Sequence, residues 1–89
     1  MSGMSGADIP LLRELAGKFD TQAGQLQDLI SVLQAATTGS TDYWKGGKAD
    51  QFRSEWDSLK PTFDKFVQTL TDAGQATKIN ADNIERATY

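Results

Sequence analysis

The chain has 89 residues, nine basic and twelve acidic for a net charge of −3, and it contains neither cysteine nor histidine. Disulfides, the usual zinc ligand sets and nucleophile–base pairs built on Cys or His are therefore excluded. The nine cations, Arg13, Lys18, Lys45, Lys48, Arg53, Lys60, Lys65, Lys78 and Arg86, are spread along the chain, so the basic stripe that nucleic-acid binding needs is missing.

Residues 1–7 are small and read as a flexible N-terminus outside the fold. The start, Met1-Ser2-Gly3-Met4-Ser5-Gly6, has neither a basic cluster nor an apolar h-region. Export, if it occurs, is expected to proceed without a cleaved signal peptide. No apolar run approaches the roughly 20 residues needed to span a bilayer.

Asp8 is the expected N-cap of a first helix over residues 8–38, with Pro10 tolerated in the first turn because the amide it lacks would have had no intrahelical acceptor. Ile9, Leu12, Ala16, Phe19, Ala23, Leu26, Ile30 and Leu33 recur in alternating steps of three and four, the spacing that keeps one seam of a helix facing a partner helix. Period-two alternation would scatter the same side chains over both faces of a strand. The helix is expected to stop where Thr37, Thr38, Gly39, Ser40 and Thr41 supply breakers.

The connection over residues 39–47 carries Tyr43, Trp44, Lys45, Gly46 and Gly47. Trp44 has two readings, as a lid on the loop end of the hairpin over Leu33, Ala36 and Phe52, with Gly46 giving the indole room, and as part of a docking surface. A second helix is expected over 48–88, with Ala49, Phe52, Trp56, Leu59, Phe63, Phe66, Leu70 and Ala73 on its seam and Thr77, Asn80, Ile84 and Ala87 continuing the register. Pro61 falls opposite that seam, so it is expected to kink the helix and not to end it.

Folding the chain back near residue 43 pairs Leu33 with Phe52, Leu26 with Leu59, Ala23 with Phe63, Phe19 with Phe66, Ala16 with Leu70 and Leu12 with Ala73. The turns from about Thr77 onward are left overhanging. A second stripe lies beside the first seam, at Leu15, Leu29 and Ala36, widened by Leu11 and Val32. One facing helix cannot cover so wide an arc. A lone two-helix hairpin also removes too little apolar surface from water to offset the entropy of ordering it. The fold class is thus all-α: an antiparallel helical hairpin that dimerises into an elongated four-helix bundle, with Leu11, Leu15, Leu29, Val32 and Ala36 as the dimer interface.

Catalysis, cofactors and metals find no support. The pairs Glu14 with Lys18, Lys60 with Asp64 and Asp82 with Arg86 have the spacing of solvated helix-surface ion pairs. Asp50, Glu55, Asp57 and Asp64 do not form a calcium loop. Gly46-Gly47-Lys48 lacks the other residues of a phosphate-binding loop and any preceding strand, so its glycines read as turn residues.

A short all-helical chain with Trp-x-Gly between two long helices resembles the WXG-motif family of small secreted bacterial proteins, the early-secreted-antigen-like substrates of type VII secretion. Trp44 and Gly46 carry the resemblance, with Ala49, Phe52 and Trp56 completing the pattern Trp-x-Gly-x-x-Ala-x-x-Phe-x-x-x-Trp. The resemblance implies a bacterial cytoplasmic origin, a homodimer or a heterodimer with a sister hairpin, folded export by a membrane ATPase of the secretion apparatus, and a role for Trp44 and Gly46 as half of a composite export signal. The other half, Tyr-x-x-x-Asp/Glu after the second helix, is not spelled out in these residues: Tyr43 is followed four positions later by Gly47, and Tyr89 is the final residue. The expectation is that a partner supplies it or that it lies beyond residue 89.

The alternative function is an intracellular adaptor or chaperone that pairs with a helical-hairpin domain of a larger toxin. Activity on membranes ranks behind both, because the polar faces lack the Lys/Arg enrichment that draws amphipathic helices to anionic lipid.

Overall fold

A computed structural model describes residues 8–87, so the expected flexibility of 1–7 and the last two positions lie outside the described residues. The protein is a rod of 65 × 16 × 14 Å built from two antiparallel helices, α1 (Ile9–Gly39) and α2 (Gly47–Ala87), joined through a 3-10 turn at Ser40–Asp42. Asp8 caps α1: its carboxylate accepts the Leu11 amide at 3.1 Å, and Pro10 sits in the first turn. At the other end Ser40 satisfies the terminal carbonyls, donating its hydroxyl to the Thr37 oxygen at 2.6 Å.

α2 runs unbroken through Pro61. The ring removes the hydrogen bond that would have gone to the Asp57 carbonyl, but both residues are exposed, so water can meet the freed oxygen and the helix continues.

The seam between the helices is made mostly of small residues. α1 buries Ala16, Ala23, Ile30 and Thr37, a strict seven-residue repeat, and α2 buries Ala49, Trp56, Gly74 and Ala81. Leu12, Phe19 and Leu26 on α1 and Phe63 and Leu70 on α2 are half-buried beside them. Four large hydrophobic residues assigned to the seam from sequence do not fill it: Leu33, Phe52, Leu59 and Phe66 are exposed. On α2 the positions that share the seam with Trp56, Phe63 and Leu70 are each one residue later than expected, at Arg53, Lys60, Val67, Gly74 and Ala81. The reason is steric. Where alanine and glycine let two backbones approach closely, large side chains have no room between them and are turned to the flank.

The register also differs from the expected one. Trp56 donates its indole N–H to the Gln34 Oε1 at 2.7 Å, Arg53 reaches the Ser40 hydroxyl at 2.9 Å, and Gly74 packs against Ala16 and Asp20. These levels displace α2 along α1 by one to one and a half turns, roughly 6–9 Å at 1.5 Å per residue, because the reversal is centred on Lys45 and Gly46 and not on Tyr43. The expected overhang shrinks to about the last turn of α2 as a result. Ala81 is fully buried, and Arg13 of α1 pairs with Asp82 at 2.6 Å and Glu85 at 3.0 Å.

Candidate functional site

The loop is fixed from both helices. The amides of Tyr43 and Trp44 donate to the Ser40 carbonyl at 3.2 and 2.8 Å, and the Asp50 amide donates to the Gly46 carbonyl at 3.0 Å, which starts α2. Arg53 bridges the two ends, with one guanidinium nitrogen on Ser40 and the other 3.2 Å from Asp50. α1 has no basic residue in its own last turn, so this arginine supplies the positive charge that complements the C-terminal end of its dipole. Asp50 does the converse for the first turn of α2.

Trp44 stands at the tip of the rod, 40% exposed, with its ring 5.4 Å from that of Phe52 and tilted by 42°. An indole left this accessible but braced on one side is held in a defined orientation. Gly46 adopts φ +113°, the only positive φ among the described residues. A Cβ placed there would meet no atom within 4 Å. Its role is therefore to permit a left-handed backbone, and not to give the indole room as the sequence suggested.

Leu11, Leu15, Leu29, Val32, Leu33, Phe52, Leu59 and Phe66 are each 42–65% exposed, and Ala36 is exposed with them. In an antiparallel pair the same side of the heptad wheel on each helix lies on the same flank. All of these residues consequently line one flank of the hairpin, continuous with Phe52 and Trp44 at its tip. Sequence reading had divided them between the inner seam and an outer stripe. They form one apolar face.

The opposite flank is charged. Arg13, Asp20 and Lys78 line a shallow groove there with Ala16 and Gly17, closed off by Asp82 and Glu85. The Arg13 guanidinium, hydrogen-bonded to Asp82, holds that carboxyl below the ordinary aspartate range, and Arg13 itself is raised in return. Asp82 had been expected to pair with Arg86. Instead Arg86 donates to Asn83, while Glu14–Lys18 and Lys60–Asp64 lie 3.7 and 2.9 Å apart. The Arg13 fork, the Trp56–Gln34 bond and the Arg53 bridge escaped sequence reading, since each joins residues whose proximity depends on the register.

Among the described residues no group of acidic side chains is arranged to hold a metal ion. No helix among them is long and apolar enough to cross a membrane. What the geometry offers is a surface: a long apolar face ending in a displayed, rigidly turned Trp-x-Gly.

The family model described as "Proteins of 100 residues with WXG", WXG100, matches residues 7–87. The chain belongs to this family. It is similar to the uncharacterized protein YfjA of Bacillus subtilis, 29% identical over 81% of this chain and 69% of that one. It is also similar to the ESAT-6-like protein SAG1039 of Streptococcus agalactiae, 28% identical over 84% of this chain and 78% of the relative, and to protein YukE of Bacillus subtilis, 22% identical over 96% and 88%. No solved structure gives a significant match. The chain is thus a small protein of the type VII secretion-associated family that its Trp-x-Gly hairpin resembles.

Proposed function

We propose that this protein is a non-enzymatic substrate of type VII secretion. It leaves the bacterial cytoplasm without a cleaved signal peptide, working as a dimer whose Trp44–Gly46 loop is half of a composite export signal engaged by the secretion ATPase. The observation that carries this reading is Trp44, which is exposed yet braced by Phe52 beside a glycine in a conformation that only glycine adopts easily. An aromatic needed only for stability would be turned inward, as Trp56 is. The apolar flank supports the dimer, since removing it from water is the main source of stability left to a hairpin with so thin a seam. The ESAT-6-like relative supports the export reading.

Trp44→Ala tests it in a bacterium that carries the apparatus. The expected result is loss of the protein from the culture supernatant, with helix content and sedimentation close to wild type. Parallel loss of export and helix content would assign Trp44 to structure alone. Retention of the wild-type protein inside a secretion-competent cell would favour the adaptor reading.

A further inference from the structure

The tip of the rod carries charges that the fold does not need. Between Ser40 and Arg53 the cations Lys45, Lys48 and Arg53 outnumber the carboxylates Asp42 and Asp50, on a chain that is acidic as a whole. Arg53 is engaged by Asp50 and Ser40. Lys45 and Lys48 are exposed and form no ion pair among the described residues, with Asp42 or with any other acid. Lys48 also stands in the first turn of α2, which the Asp50–Gly46 backbone bond begins. A cation there opposes the helix dipole and weakens the helix that carries it. A residue that lowers local stability and gains no internal contact in return points to a role outside the fold.

Both lysines border exposed aromatic rings. Lys45 follows Trp44 in the chain, and Lys48 lies one helical turn before Phe52 on the same side of α2. Trp44 and Phe52 are in ring contact and 40% and 42% exposed, and Tyr43 beside them is 77% exposed. The next carboxylate on that side of α2, Glu55, is already hydrogen-bonded to Gln51.

We propose that the tip receives an acidic segment of a receptor protein, whose apolar or aromatic side chain rests on the Trp44–Phe52 surface while its carboxylates pair with Lys45 and Lys48; the inference rests on the reading of the Trp44 loop as a docking surface and adds the chemistry of what docks. Aromatic rings at the centre supply the contact that is dried on binding, and cations at the rim steer the approach and reject basic partners. An anionic lipid surface fits less well, because clusters of about four to eight cations mark such sites and the tip offers two lysines. A nucleic acid needs a basic stripe, which the chain lacks.

The direct test titrates isotope-labelled protein, followed by nuclear magnetic resonance, with the acetylated peptide Glu-Glu-Phe-Glu-Glu and, as control, Lys-Lys-Phe-Lys-Lys. The expected result is saturable shifts of the Trp44 indole N–H and of the Lys45 and Lys48 amides with the acidic peptide alone. Binding is expected to weaken about tenfold or more in the double variant Lys45→Glu/Lys48→Glu and to persist in Lys45→Arg/Lys48→Arg. Because Lys48→Glu places an acid at a helix start, the reversed variant is expected to melt at or above the wild-type temperature. A lower melting temperature would return the lysines to a structural role. No shift, or shifts spread equally over Lys65 and Lys78, would overturn the tip as the site. Shifts produced by phosphatidylglycerol vesicles and not by the peptide would overturn a protein segment as the occupant. In secreting bacteria, export of the reversed variant alongside retention of Trp44→Ala would overturn the acidic partner alone, whereas export of both would also remove the loop from the export signal.

Discussion

Arg13 and Asp82 meet at 2.6 Å although 69 residues separate them along the chain. The same guanidinium reaches Glu85, so one side chain ties the first turns of α1 to the last turns of α2 at the end of the rod away from the loop. The pair is only partly covered, and salt weakens such contacts. Because Asp82 titrates lower in the folded chain than its ordinary value of 3.8, its contribution is complete above that value and disappears as the pH falls through the folded pKa. Arg13→Gln is expected to speed amide hydrogen exchange over the last turns of α2 while leaving the loop end unchanged. Asp82→Asn is expected to flatten the acid limb of the stability profile below the usual aspartate range. An unchanged acid limb would show that the fork contributes nothing.

Gly74 marks the closest approach of the helices. A Cβ there would overlap the Asp20 carboxylate, which can rotate away, and would sit 3.2 Å from the Ala16 carbonyl oxygen, which can shift only with its helix. Gly74→Ala gains up to about 1 kcal/mol in helix propensity and loses a similar amount to this crowding, so its melting temperature is expected to stay near wild type. Gly74→Leu has no such compensation and is expected to cost about 1–3 kcal/mol. Thermal unfolding of the two variants separates a close-packed seam from a loose one, in which both would be stabilising or neutral.

Ala23 and Leu59 provide an opposed pair. Ala23 is 4% exposed in the seam and Leu59 is 49% exposed on the flank. Ala23→Asp buries a carboxylate with no partner and is expected to abolish the helical signal at every protein concentration. Leu59→Asp is expected to shift sedimentation to the monomer and to make the melting temperature independent of concentration, whereas that of the wild type rises with concentration. A wild-type melting temperature that does not depend on concentration would contradict the dimer.

Gly46 at φ +113° predicts that Gly46→Ala costs on the order of 1–2 kcal/mol from backbone strain alone. Since no atom lies near the missing Cβ, Gly46→Ala and Gly46→Ser are expected to lose similar stability. A loss growing with side-chain size would point to crowding against the indole instead.

The helices, the Asp8 cap and the passage through Pro61 could be read from the sequence because each follows from local chemistry: an aspartate two residues before a proline, breakers after Ala36, an unbroken apolar period across residue 61. The division of the apolar residues between inside and outside could not. A heptad assigns its strongest hydrophobes to the contact, and in α2 these are Phe52, Leu59 and Phe66. The contact between the helices goes instead to residues that let the backbones approach, here Ala16, Ala23, Gly74 and Ala81, and the larger side chains are left on the flank. The seven-residue spacing of Ala16 with Ala23 and of Gly74 with Ala81 was the available signal. The register was hidden for another reason. It depends on where the chain reverses, and the 3-10 turn at Ser40–Asp42 carries α1 further than its breakers suggest.

A rod 65 Å long and 16 × 14 Å in section passes through an opening according to its girth. Two copies side by side double only one of the short dimensions and add little to the long one. For the export proposed above, a conduit wide enough to admit such a pair end-on would have no need to unravel it, so girth and not length is the dimension it would have to match.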